Sequence, residues 1–296
     1  MKKCVSGVLF VLFLGVGVQA WAGFFDKGSF QEGGFKGRYV PPISNIIYNE
    51  TPYITTEASL WYLYQTIPEK SITSGGHINL GAAQARLALT DRLGLIATKD
   101  GYADAHFGNV LADTHGLVNI ALGLKYAIWQ KPEDDAIVTI GGRYEFPTGD
   151  IGTSGVSLQG HGKGLTDLFI SGARSWGKLG VEANLGTNIA SSQKDNTSQF
   201  HYSLHVDYAL TEKFFPIVEI NGITPIKEGN RVALNLDGHD ILNIGSSGLG
   251  TTATVAGGFR YMITKNIQVG TAWEQTITSR KDLFDQRVTV NLLFRF

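Results

Sequence analysis

Apolar and polar residues alternate along most of this chain, in stretches of ten residues or more. Successive side chains of a strand point to opposite faces, so this pattern predicts strands with one apolar and one polar face. Val118, Ile120, Leu122, Leu124, Tyr126 and Ile128 share one face; Asn119, Ala121, Gly123, Lys125 and Ala127 share the other. The same alternation runs through 136–146, 179–189 and 200–210. It predicts strands at 54–66, 77–90, 93–101, 115–129, 136–147, 164–176, 179–190, 199–210, 214–224, 251–263, 267–278 and 285–296. Alternation is blurred in 54–66, 164–176 and 214–224, which leaves ten or fourteen strands as alternatives to twelve. Most are longer than the roughly 5–6 residues usual in soluble sheets and match the roughly 9–11 that a tilted membrane crossing needs.

The composition of the two faces favours a barrel in lipid. The polar face holds Gly, Ala, Ser, Thr and Asn with single spaced charges, which suits a lumen. The apolar face carries Tyr126, Trp129, Tyr144, Phe146 and Tyr208 near strand ends, where interfacial aromatic girdles belong. Connections differ in length on the two sides. Short turns are expected at Asp91-Arg92, Lys131–Asp135, Gly177-Lys178, Thr211–Lys213 and Thr264–Asn266, the periplasmic side. Long outer loops are expected at Asp100–Thr114, Thr148–Lys163, Ser191–Ser198 and Lys227–Gly250. The predicted fold class is therefore all-β: a transmembrane antiparallel β-barrel of about twelve strands over residues 54–296.

Lys2 and Lys3, the apolar run Val5–Val18 and Ala20-Trp21-Ala22 have the form of a signal peptide, with cleavage expected after Ala22. Cys4, the one cysteine, would leave with it, so no disulfide framework is expected. Residues 23–53 do not alternate; they place Phe24, Phe25, Phe30 and Phe35 among glycines ahead of Pro41-Pro42. Two readings stand: a loosely packed periplasmic tail, or a partial plug that enters the lumen. Mean hydropathy near zero does not separate a soluble protein from a barrel whose two faces cancel. A formal charge of −1 gives no basic face for nucleic acid, which is excluded as a partner.

Ser203, His205 and Asp207 lie at i, i+2 and i+4 on one strand face and have the residue types of a hydrolase triad. Spread along a strand, they cannot make the successive hydrogen bonds a triad needs, so they are read as polar lining. His201 and His205 are too far apart on one strand to share a metal, and no cofactor motif is present. Gly238-His239-Asp240 and Gly160-His161-Gly162 are expected at loop tips. The charges and histidine expected to line the lumen are Arg86, Lys125, Arg143, Glu145, Glu182, His205, Asp207, Glu219, Arg260, Glu274 and Arg287, with Arg295 near the end. Pairing across a nearly closed interior and a narrow polar channel are equally compatible with that set.

The alternating strand Val288–Phe296 ends on Phe296 and resembles the C-terminal signature by which barrels are handed to their assembly machinery. The run Gly142-Arg143-Tyr144-Glu145-Phe146-Pro147-Thr148-Gly149-Asp150 resembles the strand-end P-T-G-D element of barrels associated with the phenol meta-cleavage (MetA) degradation pathway, and with the strands it covers most of 54–296. That resemblance implies an outer-membrane protein passing small, often apolar or aromatic solutes, with no catalytic residues to carry over. The expected partners are outer-membrane lipid, the barrel assembly machinery and a small-molecule solute. A phospholipase-type hydrolase and a surface barrel whose outer loops bind a partner are the alternatives.

Overall fold

The computed structural model describes residues 27–233, 235–246 and 248–296; the expected signal peptide and Phe24 and Phe25 lie outside them. The strands are β1 (Glu57–Ile67), β2 (Gly76–Ala88), β3 (Leu93–Lys99), β4 (Tyr102–Phe107), β5 (Thr114–Leu117), β6 (Ile120–Lys131), β7 (Ala136–Phe146), the small hairpin β8 (Gly152–Thr153) and β9 (Val156–Ser157), β10 (Leu165–Trp176), β11 (Leu179–Ala190), β12 (Ser198–Tyr208), β13 (Phe214–Lys227), β14 (Thr252–Met262), β15 (Ile267–Thr276) and β16 (Gln286–Arg295). β3 with β4, and β5 with β6, are halves of single crossings, so the wall has twelve antiparallel staves. It closes where β1 pairs with β16, from Glu57 opposite Arg295 to Thr66 opposite Gln286. A closed barrel satisfies every backbone group within the wall, the condition for crossing a bilayer with strands.

Leu60, Leu124, Ile170 and Leu185 stand outward, each between 43 and 49 % exposed, within a belt of apolar side chains. So large an exposed apolar surface is intelligible only against lipid. This is an outer-membrane β-barrel. Turns at 89–92, 132–135, 177–178, 209–213 and 263–266 lie at one end; the six other connections lie at the opposite, outer end.

Three local expectations are corrected. Residues 100–114 are not one loop, because β4 continues the crossing beyond Asp100-Gly101. Val118 is 3 % exposed and belongs to the internal apolar cluster: the strand breaks at 118–119 and turns this side chain inward. Gly238-His239-Asp240 is not a loop tip. His239 and Asp240 are buried, because 237–246 folds back into the outer mouth. There Asn243 accepts from the Thr197 amide at 2.9 Å and donates to its carbonyl at 2.7 Å.

The three blurred strands have one cause: they are apolar on both faces. Trp61 and Leu63 on β1, Leu165 and Phe169 on β10, and Phe215, Ile217 and Ile223 on β13 all point inward and are buried. Trp129 reaches the lipid face, against its parity in the alternation, through a bulge that places Ile128 and Trp129 both outward.

Candidate functional site: the barrel interior

The interior is occupied by the chain's own N-terminal segment. Arg38 enters at the turn end, with Nε 2.8 Å from Asp207 and the other guanidinium nitrogens donating to the Gly177 and Lys178 carbonyls. From Tyr39 to Glu57 every residue is buried. Pro41-Pro42 cannot offer N–H groups, and the wall meets them with a donor instead. Arg260 donates through Nε to the Pro41 carbonyl, through Nη2 to the Pro42 carbonyl at 2.9 Å, and through Nη1 to Asn291 at 2.9 Å.

The next two residues present the opposite polarity, and an acid meets them. Glu219 accepts from the Ile43 amide at 2.9 Å, the Ser44 amide at 2.6 Å and the Ser44 hydroxyl. At the top of the excursion Gln84 donates to the Ile46 carbonyl at 3.0 Å and Asn188 to the Tyr48 hydroxyl at 2.6 Å. The Tyr48 ring stacks on His201 with centroids 4.5 Å apart. On the way back Glu50 meets Arg86 through both oxygens, at 2.8 and 2.7 Å, and Lys125 at 2.8 Å. Lys125 also donates to the Thr51 carbonyl, and Thr139 to the Pro52 carbonyl. Tyr53 then joins Phe30, Phe35 and Tyr39 in an aromatic cluster where β1 begins.

All eleven residues expected to line the lumen are buried inside the barrel. Arg86 and Lys125 meet at Glu50, and Arg86 also holds Glu57 at 2.9 Å. Arg143 pairs with Asp167 at 2.8 Å, and His201 holds the other oxygen at 2.7 Å. Glu145 pairs with Lys99 at 2.8 Å. Glu182 sits opposite His205 across β11 and β12. His205 bonds Glu219 at 2.7 Å, and Asp207 holds Arg38. Glu274 accepts from Thr254 at 2.6 Å and lies 3.6 Å from Arg287, which takes Asp240 in a bidentate pair at 3.0 and 2.5 Å. Arg295 is half-buried over the Phe30 and Tyr39 rings. Phe296 is about half exposed at the turn end, its amide donating to the Thr56 carbonyl.

Ser203, His205 and Asp207 do not form a relay. His205 Nδ1 is committed to Glu219, its Nε2 is 3.9 Å from Asp207, and Ser203 Oγ accepts from Asn45 at 3.4 Å.

Sequence reasoning missed Glu50, Glu57, Lys99, Asp167 and Asp240. Glu50 lies in the non-alternating segment and Asp240 in a loop. Glu57 and Asp167 sit on blurred strands, and Lys99 sits beside the interruption between β3 and β4. The alternating faces alone put six cations against five acids on the wall, so charge balance did not announce them.

Little empty space remains. Cavities of about 10 Å³ lie beside Arg260 and beside Val118, each room for about one water. A far larger cavity, about 1140 Å³, opens at the outer mouth, where Ile67, Ile72 and Leu236 stand among charged residues that include Lys70, Arg280 and Asp282.

The family described as "Putative MetA-pathway of phenol degradation" matches residues 50–292. No curated protein matches the chain in sequence. Solved structures with a similar course include a NanC porin (10 % identity, 81 % of this chain and 100 % of that one, TM-score 0.49). Others are a KdgM porin (11 %, 80 % and 99 %, 0.45) and the translocator domain of the autotransporter NalP from Neisseria meningitidis (10 %, 85 % and 91 %, 0.47).

Proposed function

The chain belongs to the family described as "Putative MetA-pathway of phenol degradation", and from that premise we propose that it passes small solutes of the phenol class across the outer membrane without catalysing their conversion. Residues 1–22 act as its export signal and residues 23–53 as a plug. Outer-membrane lipid and the barrel assembly machinery, engaged through the strand that ends on Phe296, are its partners.

The observation that carries this reading is the way the segment is held. Arg260 and Glu219 grip it through hydrogen bonds, Arg86 and Lys125 grip its Glu50 through ion pairs, and these are exchangeable for water. Of the wall charges, Arg86, Lys125, Asp207, Glu219 and Arg260 bind the segment when it is in; together with Arg143, Glu145, Glu182, His205, Glu274 and Arg287 they line a polar path when it shifts. The outer cavity, where Ile67, Ile72 and Leu236 stand among charged residues, is the entrance. A hydrolase reading gains nothing from His205, which is locked against Glu219 under Ile43 and Ser44.

The test is solute-resolved. Purified protein in planar bilayers is expected to show low, intermittent KCl conductance, and cells carrying it should take up 1-naphthol faster than cells without it. Arg260→Ala with Glu219→Gln should raise the time spent conducting. A folded, heat-modifiable protein that neither conducts nor speeds 1-naphthol uptake, with or without these substitutions, sinks the reading.

A further inference from the structure

Between β2 and the β3–β4 crossing the barrel wall has a seam where side chains stand in for the backbone ladder. β2 pairs with β4 up to Gly81 opposite Tyr102, and with β3 from Ala85 opposite Ala97. Between those points, residues 82–84 face residues 98–101, so one residue is extra and regular pairing stops. The Ala83 amide donates to the Asp100 carboxylate at 2.9 Å, and the Gln84 carboxamide donates to the Thr98 carbonyl at 2.7 Å.

The seam lies within the lipid belt, because Ala83 sits opposite Leu60, which is 47 % exposed on the outer face of β1. An ionisable side chain at that depth is costly and marks function more often than structure. Outside, β2 presents Gly81, Ala83 and Ala85; a Cβ added at Gly81 would meet nothing within 4 Å. Immediately inside lies the small cavity where Ile46, Ile47 and Leu80 face the polar seam residues Gln84, Lys99 and Asp100. Gln84 is 2 % exposed and its carbonyl oxygen has no hydrogen-bond partner. Once Ile46 and Ile47 move, the enlarged space, apolar on their side and with the unsatisfied Gln84 acceptor on the seam side, fits an aromatic ring carrying a single hydroxyl.

We propose that this seam is a lateral port, through which a small aromatic molecule bearing one hydroxyl passes between the barrel interior and the surrounding hydrocarbon. The proposal rests on the passage reading above and adds the direction of travel. The ring occupies the space that Ile46 and Ile47 vacate when the N-terminal segment shifts, and its hydroxyl donates to Gln84. It leaves between Ala83 and Asp100, where only a side-chain hydrogen bond has to part. A polar solute gains nothing from that exit and follows the barrel axis.

The experiment places bulk over the port. Ala83→Trp is expected to abolish 1-naphthol uptake by cells carrying the protein while leaving the KCl conductance of the purified barrel unchanged. Leu87→Trp, on the same outer face but in the regular ladder opposite Leu95, should leave both unchanged. Asp100→Ala removes the latch and should speed 1-naphthol uptake, which keeps the proposal testable if Ala83→Trp does not reach the heat-modifiable folded form. Equal losses from Ala83→Trp and Leu87→Trp, a parallel fall in conductance and uptake, or unchanged uptake in Asp100→Ala overturns the port. An unsubstituted protein that conducts KCl but does not speed 1-naphthol uptake also removes the port while leaving a polar channel. One that does neither removes the passage reading with it.

Discussion

Glu50 carries two cations on one carboxylate. Burial by itself would raise the Glu50 carboxyl, but Arg86 and Lys125 overcome it and hold the group well below its ordinary value of 4.5. A depressed carboxylate contributes stability that is fully present above its unfolded value, so this clamp acts above about pH 4.5 and weakens as pH falls below it. Its partners do not depend on it equally: Arg86 keeps Glu57, whereas Lys125 keeps only the Thr51 carbonyl. Glu50→Gln therefore strands Lys125 without a carboxylate in a dry interior. Breaking a buried pair from one side costs roughly 3–5 kcal/mol. We expect a loss of that order in urea unfolding at pH 7, with most of it recovered in Glu50→Gln/Lys125→Met, where no charge is orphaned. A single variant within about 1 kcal/mol of the parent, below the usual range for a broken buried pair, would show that water reaches Lys125 at rest.

At the level of elements, the twelve strands were readable because a sheet with lipid on one side and charge on the other must alternate. β11 and β12, with Leu185 and Leu204 outward and Glu182 and His205 inward, show it plainly. β1 and β13 blurred because the interior is partly an apolar core, and nothing in a single strand's pattern announces what fills the space opposite. The inward fold of 237–246 was illegible for the same reason: its acceptors and donors, Gln199 and Thr197, belong to other elements. That docked loop carries two opposed titrations. Burial pushes the Asp237 carboxyl from 3.8 up to about 7, and burial pushes His239 from 6.5 down to about 4. The Asp237 contribution is full below about pH 3.8 and is lost as pH rises to 7; the His239 contribution is full above 6.5 and is lost as pH falls to 4. Arg287 keeps Asp240 ionised across this range. Docking should therefore be nearly flat between pH 4 and 6.5 in the parent protein. Asp237→Asn should make it weaken as pH falls, and His239→Asn should make it weaken as pH rises. Amide exchange of 237–246 across that range checks this, and identical profiles in all three proteins would refute it.

On the scale of the whole molecule, two separate structures share one chain: a wall held by its ladder, and a filling held by side chains. The wall closes from β1 to β16 and none of its strand pairing runs through the filling. A protein lacking residues 27–54 should therefore still close, remain heat-modifiable and conduct KCl continuously. The expected energetics run against intuition. Excision removes the apolar contacts of Ile43, Ile46, Ile47 and Ile54, yet it also admits water to Arg260, Lys125 and Glu219. A charge costs several kcal/mol when left dry and unpaired but little when hydrated. Glu219→Gln should then destabilise the intact chain measurably, because the substitution breaks the His205 pair and the acceptors of Ile43 and Ser44 in a closed interior. In the excised chain the same substitution should be close to neutral, since His205 faces solvent. Unfolding midpoints of the four proteins form a complete cycle. Equal costs for Glu219→Gln with and without the segment would mean that the wall charges are dry for reasons of their own, and that the N-terminal segment is not what closes the lumen.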